Sequence, residues 1–151
     1  RYAMTRTDCM YCAAHSERRE ALMLPVCEFP ESILYLMRDQ QHRGRCVLAL
    51  RAHKRELYDL EPAERAAFIS RAAQAARAIT ELFGADKINY AIFGDKVSHL
   101  HMHLVPKKAG QADWGDVFEM TSQTPTLLPP EEYEAEIRAL RGRLGAAEPQ
   151  A

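Results

Sequence analysis

Residues 98–107 read SHLHMHLVPK, in which histidine and an aliphatic side chain alternate over six positions. Successive side chains of a β-strand point to opposite faces of a sheet. The alternation therefore predicts a strand with all its imidazoles on one face, namely those of His99, His101 and His103. The aliphatic face can pack on helices, so the imidazole face must line a polar site or meet solvent.

The spacing of these histidines limits how they can share a ligand. Alternate residues of a strand stand about 6.6 Å apart, since each residue advances about 3.3 Å. His99 and His103 are then about 13 Å apart, whereas a zinc–nitrogen bond is about 2.0–2.1 Å long. A regular strand does not easily bring all three onto one metal ion, and a division of labour among them is favoured.

Composition places the chain among globular proteins. It has 151 residues, of which 47% are hydrophobic, which suits one domain with a real core. The net charge of −1 does not favour broad binding to nucleic acid or to a membrane surface. No apolar run reaches membrane-spanning length, and the first eight residues do not resemble a signal peptide. Four scattered cysteines do not form a secreted disulfide framework, so we expect a reducing, cytoplasmic location.

The remaining pattern predicts strands, a helix, strands and a helix. The strand candidates are 33–37, 45–51, 87–93 and 99–105. Short links between the strands favour an α+β domain with a largely antiparallel sheet. The segment 109–128 reads as loop with space for one short strand.

Two amphipathic helices are predicted. The first has Pro62 in its first turn and stops at Gly84. Its apolar stripe consists of Phe68, Ile69, Ala72, Ala76, Ile79 and Phe83. The second lies in the segment 129–151, where the apolar side is formed by Tyr133, Ile137, Leu140 and Leu144.

The run HLHMHLV, residues 99–105, resembles the histidine triad motif, in which three histidines alternate with apolar residues. RGRCVLALRAHKRELYDL before the long helix and NYAIFGDK before the motif follow the family's order. The resemblance implies one histidine triad domain over residues 1–151, with a five-stranded, mainly antiparallel sheet and two helices, paired into a homodimer. It also implies a nucleotide ligand, of adenine or another purine, cleaved at the α-phosphate of dinucleoside polyphosphates or nucleoside phosphoramidates.

The resemblance assigns different tasks to the second and third histidines. His101 corresponds to the nucleophile, which forms a covalent nucleotidyl-histidine and so splits one difficult substitution into two easier steps. We expect a backbone carbonyl of a neighbouring strand to fix its tautomer. His103 corresponds to a residue on the phosphate side that stabilises charge building on the phosphoryl oxygens. A purely supporting role for His103 stays open.

The first histidine is implied to bind metal. Cys9 and Cys12 form a Cys-x-x-Cys pair, and zinc-containing members of the family add two histidines that correspond to His53 and His99. One zinc ion per chain would tie residues 1–20 to the sheet. Four protein ligands leave no open position, which makes such a zinc structural. A redox-active or idle Cys-x-x-Cys is the alternative.

The chain departs from the family pattern just before the motif. Gly-Gln and a small hydroxyl residue are usual there; Gly94 matches this pattern, but Asp95 and Lys96 do not. Lys96 and Asn89 are candidate phosphate contacts, with an exposed loop lysine as the alternative for Lys96. Asp39 resembles a residue that binds the ribose hydroxyls, and a turn-forming aspartate is its alternative.

Five further residues have simpler interpretations. Cys27 and Cys46 lie among apolar neighbours and are predicted to be core residues. His15 and His42 lie in polar stretches and are predicted to face solvent. Trp114 either stacks on a base or packs on the sheet.

Two other functions stay open at this level. A non-catalytic nucleotide-binding or interaction protein would keep the histidines, and Asp95 and Lys96 favour it. Metal storage or transfer would use Cys9 and Cys12 together with the histidines.

Overall fold

The computed structural model describes residues 8–145. In chain order its elements are α1 (Glu17–Leu22), β1 (Met23–Glu28), β2 (Ser32–Met37), β3 (Cys46–Leu50), α2 (Pro62–Phe83), β4 (Lys87–Ala91), β5 (His101–Lys107) and α3 (Pro130–Leu144). The strands form one sheet in the order β1-β2-β3-β5-β4, and every neighbouring pair is antiparallel. The predicted α+β fold with a five-stranded antiparallel sheet is confirmed.

Strand β5 separates its side chains as the alternation predicts. Its aliphatic residues join the core cluster between the sheet and helices α2 and α3, where Leu100, Met102 and Leu104 are almost fully buried. The imidazoles of His101 and His103 lie on the opposite face. Regular strand pairing begins only at His101. His99, two positions earlier, therefore does not have to follow the alternation of side-chain faces that a strand imposes.

The two predicted helices form where the sequence signals place them. Helix α2 starts at Pro62 and ends with Gly84 in the left-handed conformation at φ 69°. Ile69 was predicted to lie in the apolar stripe, but it is 44% exposed. The helix packs on the sheet through a neighbouring side that carries small, buried alanines. Between residues 8 and 145, no helix combines the length and the apolar character that crossing a membrane requires.

Two elements were not predicted. Strand β1 contains Pro25, which cannot donate a ladder hydrogen bond, and the strand accommodates it at the sheet edge beside a register shift. Helix α1 is one and a half turns long and is capped by Ser16, whose Oγ accepts from the backbone N of Arg19 at 3.2 Å. The described part of segment 109–128 holds no strand, so the short strand expected there is absent.

The simpler residue predictions have mixed outcomes. Cys27 and Cys46 are fully buried, and burial raises the pKa of the Cys27 thiol to about 11. The side chain of His15 is exposed, as predicted. The prediction for His42 is wrong: only 5% of the residue is exposed, and its Nε2 lies 2.8 Å from Oδ2 of Asp113.

Gly44 in the turn between β2 and β3 provides a test of the packing beneath it. Its φ is +94°, and a Cβ would lie 2.5 Å from Cδ2 of Phe83. Gly84 also has positive φ, but a Cβ there meets nothing within 4 Å. We predict that Gly44→Ala lowers the unfolding free energy by about 2–4 kcal/mol, against about 1 kcal/mol for Gly84→Ala. Urea denaturation followed by circular dichroism measures both; equal losses would mean that contact with Phe83 contributes nothing.

Candidate functional site

Four side chains from three separate segments meet beside the start of β5. Cys9 and Cys12 come from the loop before α1, His53 follows β3, and His99 precedes β5. Their ligand atoms all lie within 4.8 Å of one another. The Sγ of Cys9 is 3.3 Å from Nδ1 of His99, the Sγ of Cys12 is 3.1 Å from Nδ1 of His53, and the two Nδ1 atoms are 3.2 Å apart. These four residues form a possible metal site.

Hydrogen bonds outside the cluster hold its segments in place. The guanidinium of Arg19 is buried and donates to three carbonyls of the cysteine loop, those of Met10, Ala13 and Ala14, at 2.5–3.1 Å. The segment that carries His53 is joined to the start of β5, because the backbone N of Leu100 donates to the carbonyl of Lys54 at 2.8 Å. The ligand geometry therefore depends on backbone contacts on both sides.

His99 is oriented by a hydrogen bond from the ring nitrogen that faces away from the cluster. Its Nε2 donates to the carbonyl of Leu50 at 2.6 Å. Because a carbonyl can only accept, the proton is on Nε2 and the lone pair of Nδ1 faces the cysteines. Burial lowers the pKa of His99 to about 4, so the ring is neutral at pH 7.

His101 is oriented in the opposite sense. Its Nδ1 donates to the carbonyl of His99 at 2.6 Å, which places the lone pair on Nε2. A backbone carbonyl was expected, but on a neighbouring strand rather than two residues earlier in the same segment. The ring of Tyr11 lies over this imidazole with 5.0 Å between centroids, and burial lowers the pKa of His101.

His103 lies next to His101, with 5.4 Å between the ring centroids. Its Nδ1 is 3.3 Å from Nη2 of Arg45, and the rings of Phe93 and Phe118 each have a centroid 6.2 Å away. Burial, together with the charge of Arg45, lowers the pKa of His103 to about 3. This imidazole is therefore neutral at pH 7.

A loop covers His103, and we call residues 113–120 the covering loop. Arg45 holds its far end, because the guanidinium donates to the carbonyls of Glu119 and Met120 at 3.4 and 3.3 Å. The same guanidinium packs on the ring of Phe118, 5.1 Å from the centroid. The third triad histidine is thus enclosed by Phe118 of the covering loop and by Arg45 and Phe93, which flank strands β3 and β4.

The near end of the covering loop is held by two buried polar side chains. The Nζ of Lys107 donates to the carbonyls of Asp113, at 2.9 Å, and Asp116. His42 bonds the carboxylate of Asp113, and the backbone N of Glu119 donates to the same oxygen at 3.1 Å. These bonds hold the pKa of the Asp113 carboxyl below its usual value.

The candidate substrate contacts lie at different distances from this centre. The Oδ1 of Asp39 accepts from the backbone N of Gln41 and of Thr126 at 3.1 and 2.9 Å, which is the turn-forming arrangement. Asn89 pairs with Val105 on β5, so it shares the face of His103. Lys96 is exposed in the loop before His99. Asp95, its neighbour, is exposed as well.

Two residues of the site were missed by sequence reasoning. Tyr11 lies inside the Cys-x-x-Cys pair, so any metal bound there brings its ring beside the first two triad histidines. Arg45 immediately precedes β3 and lies on the same face as Val47, which pairs with His103. A charged residue that shares a face with a triad histidine is a signal that sequence reasoning can use. Trp114 is half exposed and lines a groove with Asn89.

A family model described as the HIT domain matches residues 18–110, which is more than half of the chain. The chain therefore belongs to the HIT domain family. The matched range contains His53 and the three triad histidines, whereas Cys9 and Cys12 precede it. No curated protein matches the sequence.

Solved structures have the same fold. A histidine triad protein from Marinobacter aquaeolei VT8 is 25% identical with a TM-score of 0.78, covering 88% of this chain and 96% of its own. A histidine triad protein from Bradyrhizobium japonicum is 24% identical with a TM-score of 0.77, covering 86% and 96%. A Zn-bound histidine triad family protein from Mycobacterium smegmatis is 24% identical with a TM-score of 0.64, covering 93% and 96%.

Proposed function

We propose that the protein is a nucleotidyl hydrolase or transferase whose nucleophile is His101. The observation that carries this proposal is the 2.6 Å hydrogen bond from Nδ1 of His101 to the carbonyl of His99. It leaves a lone pair on Nε2, and the lowered pKa keeps that nitrogen unprotonated at pH 7. A purine nucleotide is the ligand that the histidine triad resemblance implies.

The chemistry proceeds in two displacements. The lone pair on Nε2 of His101 forms a bond to the α-phosphorus, and the bond from phosphorus to the leaving oxygen or nitrogen breaks with its electron pair. Water or another acceptor then attacks phosphorus, breaks the nitrogen–phosphorus bond and gives up a proton. Dinucleoside polyphosphates and nucleoside phosphoramidates both suit this sequence, since they differ only in the leaving group.

We assign substrate contacts to four further residues. His103 lies beside His101 and stabilises charge on the phosphoryl oxygens. Asn89 shares its face of the sheet, and Lys96 supplies a positive charge from the loop before the motif. Asp39 binds the ribose hydroxyls, and its turn position at the end of β2 holds the carboxylate in place for that contact.

We also propose that the cluster of Cys9, Cys12, His53 and His99 holds one structural zinc ion. A tetrahedral zinc with sulfur at about 2.3 Å and nitrogen at about 2.0–2.1 Å requires sulfur–nitrogen separations near 3.5 Å and nitrogen–nitrogen separations near 3.3 Å. The observed 3.1–3.5 Å and 3.2 Å fit this geometry. Two thiols and two imidazoles are a donor set that zinc prefers, and the Zn-bound relative supports the choice.

A homodimer with a continuous sheet is the proposed assembly. Among the residues that the structure describes, β4 is an edge strand with no neighbouring strand on one side. Around it Tyr90, Phe93 and Val117 are 54%, 57% and 80% exposed, which forms an apolar surface suited to a second copy. We also propose a reducing, cytoplasmic location, because four cysteines scattered along the sequence do not form a secreted disulfide framework.

The nucleophile is tested with adenosine 5′-phosphoramidate and diadenosine tetraphosphate. We predict that wild-type protein releases adenosine monophosphate and carries a transient adduct on the peptide that contains His101. His101→Gln should release the nucleotide at least about 100-fold more slowly, because it removes the attacking nitrogen. His15→Gln, at an exposed histidine, is the matched control. Equal rates for wild type and His101→Gln would refute the proposal, and binding by calorimetry without turnover would instead support a non-catalytic nucleotide-binding protein.

The metal is tested by elemental analysis of the purified protein. We predict one zinc per chain in wild type and in His15→Gln, and loss of the metal in Cys12→Ser. The thermal midpoint of Cys12→Ser should fall by several degrees, since metal binding free energy contributes to folding. Tight zinc that resists competition by a weak chelator is expected of a structural ion, whereas rapid exchange would favour metal storage or transfer.

The assembly is tested by sedimentation equilibrium. We predict a dimer for wild type and at least about tenfold weaker association for Tyr90→Glu, which places a charge on the β4 surface. Tyr58→Glu is the control, because Tyr58 is 79% exposed in a short 3-10 helix outside the sheet. A monomeric wild type at high concentration would contradict the proposal.

A further inference from the structure

We propose that Arg45 is a positioning residue that fixes His103 with its proton on Nε2. The two imidazoles of β5 then present opposite groups to the site, a lone pair from His101 and an N–H donor from His103. The chemical use of this pairing rests on the proposed function, whereas the tautomer of His103 does not.

The tautomer follows from what each partner can do in the hydrogen bond. A guanidinium has only donors, so the 3.3 Å contact between Nη2 of Arg45 and Nδ1 of His103 requires Nδ1 to accept. A neutral imidazole carries one proton, which must then be on Nε2. In the part of the chain that the structure describes, no carbonyl or carboxylate oxygen bonds His103 and selects the other form.

Arg45 is held firmly enough to impose this choice. It is only 3% exposed, and its guanidinium donates to the carbonyls of Glu119 and Met120 while packing on Phe118. The strand register carries it to the correct place, since Val47 pairs with His103 and Arg45 lies two residues earlier on the same face. The charge of Asp39 partly offsets the lowering of the Arg45 pKa by burial.

The opposite tautomers have a clear chemical consequence. If His103 had the same tautomer as His101, two lone pairs would face an anionic phosphate, which repels them. With its proton on Nε2, His103 instead donates to a phosphoryl oxygen while His101 attacks phosphorus. The backbone carbonyl of His99 sets one ring and the side chain of Arg45 sets the other.

The tautomer is measured directly by long-range proton–nitrogen NMR correlations of the histidine rings at pH 7. We expect wild-type His103 to carry its proton on Nε2, with the resonances assigned by comparison with His103→Gln. Arg45→Met should give a mixture of tautomers for His103, and Arg45→Lys, which also only donates, should restore the Nε2 form at least partly. Arg43→Met, at a half-exposed arginine that pairs with Glu132 and Glu136, should leave the spectrum unchanged.

The outcomes separate this inference from the proposed function. A wild-type His103 with its proton on Nδ1, or an unchanged Nε2 form in folded Arg45→Met, overturns the inference. The wild-type spectrum decides even if Arg45→Met does not fold. Adduct formation on His101 should slow at least about tenfold in folded Arg45→Met. Failure of wild type to form any adduct would refute the proposed nucleophile and leave the tautomer measurement intact.

Discussion

His99 makes three contacts on which both halves of the site depend. Its Nε2 donates to the carbonyl of Leu50, its Nδ1 faces the cysteines, and its own carbonyl accepts from Nδ1 of His101. Because the residue is completely buried, the ring and the carbonyl cannot move independently without breaking these bonds. A displacement of the cysteine loop is therefore transmitted to the orientation of His101 through a single residue.

The start of regular pairing at His101 explains why neighbouring histidines have different hydrogen-bond partners. A strict strand would space the three rings evenly along one face, and all three could not easily reach one metal ion. His99 lies just before the paired region, so its ring turns toward the cysteine loop while the next two remain over the sheet. Each ring then has its own partner. His99 is bonded to the carbonyl of Leu50 and His101 to the carbonyl of His99. The ring of His103 is bonded to the guanidinium of Arg45.

Local patterns predicted local structure, and failures occurred where a distant partner decides. The faces of β5 and both ends of α2 follow from periodicity and cap residues, which act over a few positions. His42 looked exposed because its partner, Asp113, is 71 positions away. Pro25 made a strand at β1 hard to predict, because proline is tolerated mainly on edge strands. Only the sheet order shows that β1 is an edge strand. The four residues of the possible metal site span 90 positions, so the family resemblance, rather than any local spacing, predicted that they come together.

The covering loop relates the geometry of the site to access. Arg45 holds it above His103 with contacts of 3.3–3.4 Å, which are long for hydrogen bonds, whereas Lys107 holds its near end at 2.9 Å and closer. A few residues further on, the backbone N of Thr126 donates to Asp39. The nucleotide contacts proposed for His103 and Asp39 would compete with this stretch of chain at both places. Because the backbone N of Glu119 also donates to the carboxylate of Asp113 at 3.1 Å, the two ends of the covering loop are joined, so displacement of the Arg45 end also strains the end that Lys107 holds.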